Sequence, residues 1–71
     1  MTLLLNCDCH SFEQVARQLM KAIRVTYGQG MAIADVVHHQ GKAVVYTGHR
    51  ERCEAVAMVL EAIGLLTKVV Q

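Results

Sequence analysis

The chain has 71 residues, a mass of 7.9 kDa and a formal net charge of +1, with 54% of residues hydrophobic, 18% charged and 4% aromatic. That length makes a single domain, residues 1–71, with a thin core, and the apolar content excludes intrinsic disorder. Balanced charge and scarce aromatics leave neither the basic stripe nor the stacking platform of a nucleic-acid binder, and no apolar run is long enough to span a membrane.

Leu3-Leu4-Leu5 is a short unbroken apolar run and reads as a strand, placed centrally in its sheet and antiparallel to its neighbours. No basic leader precedes it, and three cysteines is an odd number. Reduced thiols and a cytoplasmic location are therefore expected. Residues 6–11 are short and polar, a loop in which Ser11 suits a helix N-cap and His10 competes for that role. Phe12, Val15, Ala16, Leu19, Met20 and Ile23 then form one helical stripe, with Arg17, Gln18 and Lys21 on the other side. Thr26 followed by Gln29 has capping-box spacing, which opens a second helix running to about His38. Its stripe is Met31, Ala34 and Val37, and Gly41 suits its end. Gly28 and Gly30 are expected to weaken its first turn by about 1 kcal/mol each. Residues 42–47 make a second strand and residues 49–63 a third helix, whose inner face is Cys53, Val56, Ala57, Leu60 and Ile63. Gly64 ends that helix, and residues 65–70 make a third strand.

The order β-α-α-β-α-β predicts an α/β fold of the two-layer kind, with three helices on one face of a small three-stranded sheet. Phosphate loops and nucleophile motifs are missing from the sequence, so a binding module is favoured over an enzyme. Cys7-x-Cys9-His10, with His38, suggests a four-ligand zinc site. The Cys-x-Cys spacing is tighter than the usual knuckle and no second pair follows, so neither metal nor cofactor is expected.

At Val37-His38-His39-Gln40-Gly41-Lys42-Ala43 the chain resembles the Clp protease adaptor family, ClpS, whose members carry Val-His-x-Gln-Gly-Lys-Ala where a helix turns into a strand. Leu5-Asn6-Cys7-Asp8 is similar to the family's apolar-Asn-Asp-Asp segment except at Cys7. Phe12–Ile23 is similar to its first helix, and Glu51 and Glu54 have the Glu-x-x-Glu spacing of its last. The resemblance runs over most of the chain. It implies a non-enzymatic adaptor in protein degradation, which recognises the bulky apolar N-terminal residue of a doomed protein (an N-degron) and hands that protein to a Clp AAA+ unfoldase. By the same resemblance Asn6, Asp8 and His38 hold the substrate's α-amino group. Leu5, Phe12, Val15, Ala34 and Val37 line a pocket for its first side chain, and Glu51 and Glu54 face the unfoldase.

The chemistry is consistent. An α-ammonium has three donors and a charge, and it calls for acceptors that include a carboxylate. An internal peptide bond would leave those acceptors unpaired. An imidazole must be neutral to accept, so acidification through the ordinary histidine range is expected to weaken binding. Four departures qualify the resemblance. Cys7 replaces a second Asp and removes a charge. Ala34 replaces a bulkier Met and should widen the pocket. Val56 replaces a Lys of the last helix. The first strand begins at about residue 2, without the family's N-terminal arm, so delivery is expected to be weaker than binding. The alternative is a scaffolding domain of the same fold, akin to the C-terminal domain of the ribosomal stalk protein, that has lost the ligand.

Overall fold

The computed structural model describes residues 1–7 and 9–71. The elements are β1 (Thr2–Leu5), α1 (Phe12–Ile23), α2 (Tyr27–Gln40), β2 (Lys42–Tyr46), α3 (Arg50–Glu61) and β3 (Leu66–Val69), the order and α/β class that the sequence predicts.

Both helix starts are set locally. Ser11 caps α1 by accepting from the Gln14 amide at 3.2 Å, and the Gln14 side chain accepts from the Ser11 amide at 2.9 Å. Thr26 and Gln29 repeat this reciprocal arrangement at α2, with bonds of 3.1 and 2.9 Å. Each box satisfies donors that a helix N-terminus leaves without intrahelical partners. Gly41, at φ 87°, takes the left-handed conformation that stops α2, and its amide donates to the Val37 carbonyl. The helix therefore runs to Gln40, past the expected end at His38.

The sheet has the order β2-β1-β3, with β1 central and antiparallel to both neighbours. Leu4 pairs with Ala43 and Thr67, and these residues point to the helices. The alternate set includes Leu3 with its exposed partners Val44 and Lys68, and this face is open. A register shift between Thr2 and Leu3 sets Thr2 opposite Tyr46, so Val45 and Tyr46 both lie inward. The core cluster is Leu4, Leu19, Val37, Val45, Val56, Leu60 and Leu65, drawn from both layers.

Three expectations about burial are corrected. Gln18 was placed on the polar side of α1 but is buried, and its Nε2 donates to the Val59 carbonyl at 2.6 Å. The reason is tertiary: α1 packs against both α2 and α3, so a second face is covered. A polar side chain is tolerated there because it is hydrogen-bonded. Met20 and Ile63, expected in the core, are 38% and 37% exposed, because each lies at the edge of its stripe. Gly30 is more than a weak helix residue. A Cβ there would meet the Ala16 carbonyl oxygen at 2.9 Å and its Cα at 3.0 Å, so the bare glycine sets how closely α2 approaches α1.

Candidate functional site

The end of β1 is tied to the α2–β2 turn. Leu5 pairs with Lys42, and the Asn6 amide donates to the Gly41 carbonyl at 2.8 Å. The local reason is the left-handed Gly41, which turns the chain sharply and directs its carbonyl at the loop after β1. Asn6 and His38 are far apart in sequence, and this hydrogen bond brings them to one rim.

Behind that rim is an open cavity of about 220 Å³. Leu5, Phe12, Val15, Ala34 and Val37 line it together with Asn6 and His38, so the residues expected around a pocket converge. Ala34 and Val37 are buried, whereas Leu5, Phe12 and Val15 are half-buried and keep a surface toward the cavity. The volume lies below the roughly 300–1,000 Å³ of drug-sized ligand sites and suits one side chain rather than an extended ligand.

His38 is exposed, and its ring packs edge-on against Phe12 with centroids 5.2 Å apart. Among the described residues no hydrogen bond occupies its ring nitrogens or the Asn6 side chain. His39, by contrast, turns outward, with Nδ1 3.2 Å from the Asp35 carboxylate. Asp8, the expected carboxylate partner of an ammonium, lies outside the described residues.

Sequence reasoning missed Leu4, His10 and Leu65, which line the cavity together with Cys7. Leu65 arrives from the start of the third strand segment, and no local periodicity marks it. His10 does not cap α1. Its Nε2 hydrogen-bonds to the Ile63 carbonyl at the end of the third helical segment, and Ser11 does the capping. Cys7 and Cys9 are joined as a disulfide, which corrects the expectation of reduced thiols. Their Cα atoms are 5.3 Å apart, within the span that a disulfide bridges. Such proximity is not encoded in composition. Among the described residues, the grouped ligand atoms are those of Cys7, Cys9 and His10, without His38.

Glu51 and Glu54 are exposed on the first turns of α3, and neither lines the cavity. Glu54 approaches Arg50 at 3.7 Å, an exposed pair one helical turn apart. Among the described residues no helix is long and apolar enough to cross a membrane.

The family described as "ATP-dependent Clp protease adaptor protein ClpS" matches residues 1–65. The ATP-dependent Clp protease adapter protein ClpS of Thermosynechococcus vestitus is 34% identical over 64 residues, which is 89% of this chain and 68% of that protein. An adaptor family presents proteins to a protease and is not a catalytic one. With its whole β-α-α-β-α-β core and the cavity at the end of β1, the chain belongs to the ClpS family of Clp protease adaptors.

Proposed function

We propose that the chain captures the free α-amino group and the bulky apolar first residue of a substrate protein and presents that protein to a Clp AAA+ unfoldase. The observation that carries this reading is one apolar cavity with the polar groups of Asn6 and His38 on its rim. An α-ammonium offers three donors. The Asn6 carbonyl and a neutral His38 ring nitrogen each accept one, and Asp8 supplies the opposing charge. The first side chain enters between Phe12, Val15 and Ala34, where full burial contributes about 1.5–3 kcal/mol. Cys7 brings no charge, so Asp8 carries the electrostatic part alone. Glu51 and Glu54 lie away from the cavity and would meet the unfoldase while a substrate is held.

The test is fluorescence polarisation with peptides that start with Leu, Phe or Gly, each free or N-acetylated. Free peptides starting with Leu or Phe are expected to bind, with acetylation costing at least about tenfold, equivalent to 1.4 kcal/mol. Equal affinity for free and acetylated forms would overturn amine recognition and leave a scaffolding domain of the same fold. Binding that ignores the first residue would overturn the assignment of the cavity.

A further inference from the structure

We propose that Cys7, Cys9 and His10, with the Cys7–Cys9 disulfide reduced, form a Cys2His site for a zinc-class divalent cation at the cavity rim. The two sulfur atoms and a His10 ring nitrogen all lie within 4.8 Å of one another. His10 Nδ1 is 3.2 Å from Cys9 Sγ, while Nε2 is hydrogen-bonded to the Ile63 carbonyl. A carbonyl can only accept, so Nε2 carries a proton, and in the neutral ring the Nδ1 lone pair then faces the Cys9 sulfur. This is the arrangement of metal-binding histidines, in which one nitrogen donates to a backbone carbonyl and the other ligates. The ring lies beside Gly64, where an added Cβ would meet His10 Cε1 at 3.7 Å.

Three electron-pair donors thus converge, and two thiolates would neutralise a divalent ion. Soft sulfur donors with one imidazole select thiophilic ions such as zinc over magnesium or calcium. Three protein ligands leave a fourth position for water, the pattern of open zinc sites. The disulfide sulfurs are poor donors, so the site forms only after reduction. A thiol reductant gives two electrons and two protons to the disulfide and is itself oxidised to a disulfide. Zinc then displaces both thiol protons into solvent as two zinc–sulfur bonds form. The short Cys-x-Cys spacing, which argues against a zinc knuckle, does not argue against this set, because the third ligand follows directly. The site stands on these three residues whether or not the cavity binds an amine.

The full chain, reduced and kept anaerobic, is titrated with Zn2+ against a chromophoric chelator and with Co2+ by absorption. One ion per chain is expected, with a thiolate-to-cobalt charge-transfer band. Cys7→Ser and Cys9→Ser should each roughly halve the band, together abolish it, and each weaken binding by more than the roughly 10–100-fold that loss of a hydrogen-bond partner behind a ligand costs. His10→Ala should weaken binding while the band keeps both thiolates. Cys53→Ser, which changes the buried thiol on α3, should leave stoichiometry and affinity unchanged, with its fold checked by circular dichroism. Binding below one ion per chain, equal binding by the disulfide form, or affinity that survives Cys7→Ser and Cys9→Ser would each overturn the proposal.

Discussion

His38 projects from the last turns of α2, exposed and with its ring packed edge-on with Phe12, so its removal should cost the ligand more than the fold. His38→Ala is expected to weaken binding of a free-amine peptide by about 1.5–3 kcal/mol, the value of a charge-assisted hydrogen bond. Thermal stability should change by no more than about 0.5 kcal/mol, as for other exposed positions. Parallel binding and melting curves check both. Gln18 is the opposite case, because its buried side chain serves the fold alone. Gln18→Ala removes the bond to the Val59 carbonyl and should cost about 1–3 kcal/mol by denaturant unfolding. Peptide affinity should stay unchanged, since Gln18 does not line the cavity. At this scale the sequence is legible where chemistry is distinctive, as with the Thr26–Gln29 capping pair, and it pointed to Asn6 and His38, which the fold brings to one rim. It was misleading at Gln18, since a polar residue carries no local sign of a second covering helix.

The helices show how one residue type can have opposite effects within a single element. Gly28 and Gly30 both lie in the first turns of α2, yet a Cβ at Gly28 meets nothing within 4 Å, whereas one at Gly30 collides with the Ala16 backbone. Gly28→Ala should therefore stabilise by about 0.5–1 kcal/mol through helix propensity. Gly30→Ala should destabilise by about 1–3 kcal/mol through overpacking, because a backbone carbonyl cannot turn aside. Urea unfolding of the two variants separates them, and a shared sign would contradict the packing described. The starts of α1 and α2 were readable from the Ser11 N-cap and the Thr26–Gln29 capping box, and the strands from apolar or β-branched runs, all of which act over a few residues. Helix ends were less so. Arg24 closes α1 in the left-handed conformation at φ 58°, a role that its residue type does not announce.

The whole molecule has little stability in reserve. A domain of 71 residues holds roughly 4–11 kcal/mol at the usual 0.05–0.15 kcal/mol per residue. Leu60 is fully buried in the one core cluster, where α3 meets the other elements. Leu60→Ala should cost about 2–5 kcal/mol and lower the melting temperature by on the order of 10–30 °C. Calorimetry or circular dichroism at increasing temperature checks this. The cavity has a cost at the same scale, since Ala34, Val37 and Leu4 serve both core and cavity wall. Filling the cavity by Ala34→Met should leave stability near its present value and reduce affinity for peptides with the largest first residues.

By itself the sequence determined the element order, the central place of β1, the Thr26–Gln29 capping box and the motif that joins this chain to the Clp adaptors. These depend on periodicity, turn chemistry and residue identity, which are local. The tertiary structure decided the rest. It closed the cavity with Leu65, buried Gln18 under a second helix, made Gly30 a point of close approach and gathered Cys7, Cys9 and His10 beside the rim. The first three depend on segments far apart in the chain meeting at a fixed distance, which is set only when the helices pack on the sheet; the last depends on how one short loop folds, with His10 bonded to the distant Ile63 carbonyl.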